Sequence, residues 1–222
     1  MEIKPIAKIY TDFKEKFGIP RQSGRGKGLI GKIVFEPEFR TFDALRGIEG
    51  FSHLWIIFDF SLNHRDEFSP TVRPPRLGGN MRVGVFASRS PFRPNNLGLS
   101  SVKLIKVEKT EDLGYVLIVE GVDILDGTPV YDVKPYLFSD CHPDAKVGYS
   151  DVLHKLQVEV CESIIDTLPS DVLQSIISCI EDDPRPSYQN DENRIYKMKF
   201  ATYDVGFKVN GNVATIISIN KI

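Results

Sequence analysis

The sequence of 222 residues predicts a mostly β protein, in which a β-barrel or β-sandwich is followed by a small α+β appendage. Three features carry this prediction. Roughly the first 135 residues hold several short β-branched and aromatic runs and almost no helical periodicity. One amphipathic helix is predicted after residue 170. An Asn-Gly pair between two β-rich runs then indicates a tight hairpin near the end of the sequence.

Five runs in the first part are predicted to be strands, because Gly, Pro or Asn clusters bound most of them. They are Leu29–Phe35, Leu54–Phe60, Arg82–Ala87, Ser101–Val107 and Tyr115–Leu125. A short helical turn is expected near Asp43–Arg46. The alternation of apolar and polar residues from Ser101 to Val107 is imperfect, so the pattern does not assign the two faces of that strand.

Turn-forming residues between positions 139 and 152 predict a linker, which divides the chain into domains 1–138 and 139–222. Ser170 or Asp171 is expected to cap the following helix. Its apolar face comprises Val172, Leu173, Ile176, Ile177 and Ile180. Pro184 cannot continue a helix, so the helix is expected to stop at Asp182-Asp183. The hairpin turn is placed at Asn210-Gly211.

Composition narrows the class of protein. With 41% apolar residues the chain can bury a core, yet no apolar run reaches the roughly 18–20 residues that span a bilayer. The charged N-terminus does not resemble a signal peptide. Cys141, Cys161 and Cys179 are widely spaced and form no CxxC pair. We therefore expect a cytoplasmic protein with no membrane segment and no metal site.

The net charge of −2 conceals an asymmetry between the two halves of the chain. Residues 1–110 carry 19 Lys+Arg and 11 Asp+Glu, a balance of +8, whereas residues 111–222 carry 9 and 19, a balance of −10. No acidic residue falls between Glu67 and Glu108. This favours an anionic partner for the first half. A basic face that is merely solvated, or neutralised by the acidic half, is the alternative.

The segment from Pro70 to Asn96 is the most informative. It contains five Arg, five Pro and three Gly, which predicts stiff, shaped loops around one strand. Between Ile33 and Val102 the cations are eight Arg and no Lys. Arginine offers a planar fork for bidentate contact with phosphate or carboxylate, so these residues together indicate ligand binding, although single arginines could instead tie loops to backbone carbonyls. Weaker candidates are the basic Gly-rich stretch at residues 19–28, the turn at 123–129 and the rigid Asp182–Tyr188 segment.

Several of these stretches also carry a family resemblance. The strings KEKFGIPRQ, DALRGIEGFSHLWIIF, TVRPPRLGG, RVGVFASRSPFRPN, DILDGTPVYDVKPYL and DPRPSY cover most of residues 14–138 and return at 183–188. On these motifs the sequence resembles the TrmO (YaeB-type) tRNA methyltransferases, which methylate N6 of threonylcarbamoyladenosine next to the anticodon. Ser61-Leu62 departs from the His-Gln frequent in other members, and Asn96 and Ser187 are further departures.

The resemblance implies a small N-terminal β-barrel that binds the methyl donor S-adenosylmethionine, and a homodimer with the donor pocket near the subunit boundary. By motif match, the donor-binding positions are Pro20, Arg21, Gln22, Ser61, Leu62, Arg89, Leu99, Asp123, Ile124, Leu125 and Asp126. The anionic partner is then tRNA, with Arg73, Arg76, Arg82 and Arg93 as the candidate RNA-binding residues.

Three residues near the DPRP motif are candidates for the chemistry. Asp183 and Tyr188 could act as a base toward the weakly nucleophilic N6, and Arg185 could contact the acceptor nucleotide. Two other functions remain open from the residues alone. A non-catalytic RNA-binding module would use the same basic face, and a methyltransferase could act on a different acceptor.

Overall fold

The computed structural model describes residues 2–64, 67–74, 77, 80–150, 155–165, 167–186, 189 and 191–222. The candidate site residues Arg76 and Tyr188 therefore lie outside the described residues. No helix in the described ranges is long and apolar enough to cross a membrane.

The first part of the chain folds into a closed six-stranded β-barrel, which confirms the predicted mostly β fold. The six barrel strands are β1 (Ala7–Thr11), β2 (Ile30–Phe35), β3 (His53–Asp59), β6 (Leu97–Thr110), β7 (Gly114–Glu120) and β8 (Thr128–Pro135), and two short strands, β4 (Thr71–Val72) and β5 (Val83–Gly84), lie between β3 and β6 in sequence. The barrel order is β1-β2-β7-β6-β3-β8, and β4 and β5 pair separately as a two-stranded ribbon. A closed barrel leaves no strand edge unpaired, which protects a small sheet from aggregation.

Alternation along β3 shows why this sequence closes around a core. Leu54, Ile56 and Phe58 are buried, whereas the residues between them are only partly buried. Period-two burial directs one face of the strand into the barrel. The expected strand at Arg82–Ala87 is wrong in extent: only Val83–Gly84 pairs, and Val85–Ala87 forms a 3-10 turn.

An irregularity in β6 explains why its faces could not be assigned from the sequence. The strand runs from Leu97 to Thr110, and its register with β7 shifts between Leu104 and Lys106. A β-bulge leaves one residue unpaired and reverses the alternation beyond it. A pattern of strict alternation therefore fails at Ile105 although the strand continues.

The second part is the expected α+β appendage. It consists of β9 (Gln157–Val160), α1 (Glu162–Ile165), α2 (Ser170–Glu181), β10 (Tyr196–Phe200), β11 (Tyr203–Asn210) and β12 (Val213–Lys221). The sheet order is β10-β11-β12-β9, with β9 parallel to β12. The division of the chain at residue 138 stays a prediction.

Helix α2 ends as expected but begins differently. Ser170 is already its first residue, Pro169 occupies the cap position, and no side chain caps the helix, so the predicted Ser or Asp cap is wrong. At the other end, Asp183 adopts a left-handed φ of 48° before Pro184. The left-handed residue and the proline together end the helix.

The β11–β12 hairpin is confirmed, with its turn one residue later than the Asn-Gly pair. Asn210 pairs with Val213, so the two turn residues are Gly211 and Asn212. Gly211 has a φ of 56°, which a two-residue hairpin turn requires and glycine adopts without strain.

The appendage packs against the segment that joins β1 to β2. The ring of Phe13 meets that of Phe200 edge-to-face at 5.6 Å, and Phe17 stacks on Phe207 at 6.4 Å. The Ala201 N–H donates to the Asp12 carbonyl at 2.8 Å. Aromatic pairs of this kind add stabilisation beyond the area they bury, so the appendage is firmly attached to this segment.

Candidate functional site

A pocket of about 570 Å³ opens where β3 ends and where β6 and β8 begin. Phe58 of β3 and Leu99 of β6 form apolar walls. Gly98 pairs with Phe58 across the two strands. A Cβ at residue 98 would come within 2.3 Å of the Phe58 ring, so the ring lies where only a glycine leaves space.

Ten of the eleven predicted donor-binding residues line this single pocket. They are Pro20, Arg21, Gln22, Ser61, Leu62, Arg89, Leu99, Asp123, Ile124 and Leu125. Asp126 is not among the lining residues. Its carboxylate accepts from the Thr11 N–H at 2.9 Å and from the Lys14 ammonium at 2.7 Å. The fold thus gathers stretches that are far apart in sequence, while their role in binding stays a prediction.

Asp123 is the unusual titratable group of the pocket. Burial raises the pKa of its carboxyl to about 6, although the Ser100 hydroxyl, two backbone N–H groups and the charge of Arg89 oppose this shift. The Ser100 Oγ donates to Asp123 Oδ1 at 2.6 Å. Among the described residues no cation bonds directly to this carboxylate, and a desolvated carboxylate in that situation favours a positively charged ligand in the pocket.

The loop that supplies Pro20, Arg21 and Gln22 is held by the buried carboxylate of Asp182, at the end of α2. Asp182 Oδ2 accepts from the Arg21 N–H at 3.0 Å, and Oδ1 pairs with the Arg25 guanidinium. The side chains of Asp182 and Arg25 are only 3% and 13% exposed. A buried, hydrogen-bonded ion pair fixes the position of the loop relative to the helix.

Further contacts join the same loop to α2. Ser178 Oγ accepts from the Lys27 N–H at 3.3 Å, and Ser175 Oγ donates to the Gly28 carbonyl at 2.9 Å. Arg21 Nη2 donates to the carbonyls of Asp183 at 3.0 Å and Arg185 at 2.9 Å. The loop has little regular secondary structure, so helix side chains satisfy its backbone groups instead.

Asp183 and Arg185, both predicted for the chemistry, bond to each other. Arg185 Nε and Nη2 donate to the two oxygens of Asp183 at 2.8 and 2.9 Å. The Arg185 side chain is 9% exposed and its guanidinium lies 5.9 Å from the ring of Tyr196. Neither residue lines this pocket or the larger groove that adjoins it. Their catalytic roles stay predictions, and these contacts favour a role in holding the DPRP segment against the loop.

A second, larger groove of about 1310 Å³ adjoins the first pocket, and we call it the arginine groove. Its described lining includes five arginines and neither Asp nor Glu: Arg21, Arg25, Arg73, Arg82 and Arg89. Arg89 lines both cavities, and its guanidinium donates to the Gln22 side-chain carbonyl. Arg73 and Arg82, predicted for RNA, are both exposed on this groove.

Arg93, also predicted for RNA, is bonded to backbone instead. Its Nη1 donates to the carbonyls of Val85 at 3.1 Å and Ser88 at 2.7 Å. This contact pattern fits the alternative stated for a single arginine, that it ties a loop to carbonyl oxygens. A direct contact between Arg93 and RNA stays a prediction.

The sequence does not predict the part that Asp182 plays, since it offers the Asp182–Tyr188 segment only as a weaker candidate and favours Asp182 as the end of the helix. A signal was available. Glu181, Asp182 and Asp183 place three carboxylates at the C-terminal end of a helix, where the macrodipole favours cations. Such an unfavourable cluster indicates that cations from elsewhere must lie against it, as Arg25 does.

Comparison with known proteins connects this site to a family. Residues 8–141 match the family described as the tRNA-methyltransferase O N-terminal domain, and residues 151–222 match the TrmO C-terminal domain. The chain is 38% identical over 226 residues to a tRNA (adenine(37)-N6)-methyltransferase of Escherichia coli, covering 94% of this chain and 96% of that protein.

A second relative and a solved structure point to the same family. A putative S-adenosylmethionine-dependent methyltransferase, RcsF, of Pseudomonas aeruginosa is 38% identical over 213 residues, covering 91% of this chain and 90% of that protein. A crystal structure of TrmO from P. aeruginosa superimposes with a TM-score of 0.80 at 30% identity, covering 100% of this chain and 97% of that one.

Removing the Asp182 carboxylate should destabilise the protein strongly. In Asp182→Ala the Arg25 guanidinium stays buried without its partner, so we expect the free energy of unfolding in urea to fall by about 3 kcal/mol or more. The matched control is Asp43→Ala, which removes the exposed partner of Arg46 and should cost at most about 1 kcal/mol. Equal losses in the two variants would contradict the role given to Asp182.

Replacing Asp123 should stabilise the fold in a pH-dependent way. Its folded-state pKa of about 6 lies above the ordinary 3.8, so ionisation costs the folded state stability as pH rises from about 4 to 6. Asn can still accept the Ser100 hydrogen bond but cannot ionise. At pH 7–8 we expect the free energy of unfolding of Asp123→Asn to be up to about 3 kcal/mol higher than that of the unsubstituted protein.

That difference from the unsubstituted protein should shrink as pH falls through 6 toward 4 in denaturant titrations. The exposed Asp112→Asn serves as control. A stability difference that is the same at pH 4 and pH 8 would contradict the burial argument.

Proposed function

The chain belongs to the TrmO family of tRNA methyltransferases, and on this premise we propose that it transfers a methyl group from S-adenosylmethionine to N6 of adenosine 37 in tRNA. We further propose that the acceptor carries the threonylcarbamoyl group on N6. The observation that carries the proposal is the convergence of ten family-implied donor positions on one pocket beside a groove lined by arginines.

The chemistry of the pocket fits S-adenosylmethionine. Its volume of about 570 Å³ lies in the range of small-molecule sites. Phe58, Leu99 and Ile124 offer apolar surface suited to an adenine ring, and the partly buried, desolvated Asp123 carboxylate suits a ligand with positive charge. Gln22 and Arg89, bonded to each other at the border with the arginine groove, add polar groups.

When bound, S-adenosylmethionine would supply the methyl group from its sulfonium and leave as the thioether S-adenosylhomocysteine, while the N6 proton would pass to water. The protein's own part is chiefly positioning, since holding two reactants in line accounts for a large share of such rate enhancements. The loop held by Asp182 fixes Arg21 and Gln22 between the two cavities.

The two cavities carry charged groups of opposite sign, which suit a cationic methyl donor and an anionic acceptor. The first pocket, which we call the donor pocket, carries the partly buried Asp123, which complements a cationic donor. Arg73, Arg82 and Arg89 face the adjoining groove and complement RNA phosphates or the threonyl carboxylate of the acceptor. A non-catalytic RNA-binding module would need the groove but not the donor pocket, so the pocket favours an enzyme.

The finer expectations belong to the same proposal. We propose that the protein works as a homodimer in the cytoplasm, with domains at 1–138 and 139–222. The resemblance supports the dimer, and a tRNA substrate together with the free Cys141 and Cys161 fits a reducing compartment. Sedimentation at micromolar concentration tests the dimer, and a monomer that is fully active would contradict it.

Arg89→Ala should reduce methyl transfer by about a hundred-fold or more while leaving the fold intact, because Arg89 is exposed and lines both cavities. The measurement is radiolabel transfer to tRNA, with thermal unfolding as the check on folding. The control is Arg46→Ala, because Arg46 is exposed and lies outside both cavities. Near-normal turnover in Arg89→Ala would contradict this assignment.

The acceptor assignment predicts that tRNA from cells lacking the threonylcarbamoyl modification is not methylated. A site with arginine forks for a carboxylate leaves those forks unpaired when plain adenosine enters, which can discriminate by about 10⁴-fold. Transfer assays on modified and unmodified tRNA are run side by side, with nucleoside mass spectrometry of the products. Equal incorporation would rule out the threonylcarbamoyl acceptor while leaving the methyltransferase assignment intact.

A further inference from the structure

One aromatic side chain in the arginine groove is placed as a stacking platform. Phe86 lines the groove and is 73% exposed, although a phenylalanine usually gains by being buried. The groove meets the donor pocket through Arg21, Gln22 and Arg89, which line both. An exposed ring among arginines is the combination with which proteins hold unpaired nucleobases.

The local backbone holds Phe86 in this exposed position. It is the middle residue of the 3-10 turn Val85–Ala87, and Val85 beside it is buried. Ser88 Oγ donates to the Val85 carbonyl at 2.8 Å, and Arg93 donates to the same carbonyl and to that of Ser88. The turn is therefore anchored on one side while the ring remains open to the groove.

Two groups support the ring itself. The Arg93 guanidinium lies 5.8 Å from its centroid, within cation–π range. The ring of Phe68 stacks beside it at 6.4 Å with an interplanar angle of 26°. A ring held by its turn and by two neighbours loses little conformational freedom when a planar ligand stacks on it.

We propose that Phe86 is the stacking platform for the acceptor nucleobase, which leaves the stacked bases of the anticodon loop to reach the donor pocket. This inference rests on the proposed function and names the subsite for its substrate. Arg73 and Arg82 face the same groove and suit the anionic groups attached to that nucleotide. Arg82 Nη1 uses one bond on the Thr71 hydroxyl at 3.2 Å, which leaves further guanidinium donors for a ligand.

The test compares Phe86→Ala with Phe138→Ala, which removes another exposed ring, 96% exposed, that lies outside the groove. The probe is an anticodon stem-loop RNA carrying the modified adenosine. We expect Phe86→Ala to raise the Kd and the KM for this RNA about ten-fold or more, with kcat changed less. The Kd for S-adenosylmethionine by calorimetry and the sedimentation behaviour should be unchanged, and Phe138→Ala should match the unsubstituted protein.

Phe86→Trp gives a direct signal for stacking. Trp55 is the single tryptophan of the chain and supplies the fluorescence baseline. We expect Phe86→Trp to bind the RNA well and to lose indole fluorescence when the RNA is added, beyond any change in the unsubstituted protein. Absence of quenching in a variant that binds the RNA overturns the proposal.

The remaining outcomes separate the alternatives. Loss of dimer in Phe86→Ala would place a second copy of the chain on this ring, and loss of S-adenosylmethionine binding would place it in the donor site; either result overturns the proposal. If the unsubstituted protein does not bind the stem-loop, the proposed function itself fails. If it binds and Phe86→Ala binds equally well, only the stacking platform is wrong.

Discussion

The carboxylate of Asp182 is the contact on which the arrangement of both cavities depends. The loop between β1 and β2 forms one side of the pocket and of the groove, yet few of its own backbone groups pair in a strand or helix. Asp182 binds Arg25 and the Arg21 N–H from outside the barrel. The appendage is thus part of the site's construction although neither cavity is lined by its helix α2.

The carboxylates of Asp182, which is buried, and of Asp123, which is partly buried, are in opposite electrostatic situations. Asp182 is offset by a guanidinium, so burial strengthens its attraction to Arg25. Asp123 accepts hydrogen bonds but no ion pair from the residues that the structure describes, and burial raises its pKa to about 6. A carboxylate kept at a cost to stability is typical of a functional position, because a bound cation can recover what folding alone cannot.

Sequence patterns predicted the elements whose signals are local. Alternation in β3, the amphipathic face of α2 and the Asn-Gly hairpin each need only a few neighbouring residues. One failure depends on a distant partner, because the bulge in β6 is set by its pairing with β7. The other is local: α2 begins at Ser170 with Pro169 at the cap position, where residue type alone favours Ser or Asp. Hydrophobic periodicity and secondary-structure propensity contain no information on a strand partner that is distant in sequence.

The same distinction holds in the site. Motif resemblance supplied the residues proposed to bind the donor, and the fold brought ten of these eleven together in one pocket, but no motif separates an arginine that binds a ligand from one that braces a loop. That difference depends on which oxygens lie within reach of each guanidinium. Arg93 and Arg185 find carbonyl or carboxylate oxygens of their own chain, whereas Arg73 and Arg82 remain exposed on the groove.

These two uses of arginine depend on each other. The exposed guanidinium groups on the walls of the groove repel one another. Loops rich in proline and glycine form few backbone hydrogen bonds that could hold the walls together against this repulsion. The braced arginines provide that resistance by bonding carbonyl oxygens, which are acceptors that such loops leave unpaired. Arg93 illustrates the point, since the two carbonyls it binds are those of Val85, the first residue of the turn that carries Phe86, and of Ser88, which follows that turn. The arginine excess that first indicated an anionic partner is therefore partly the means by which the surface for that partner keeps its shape.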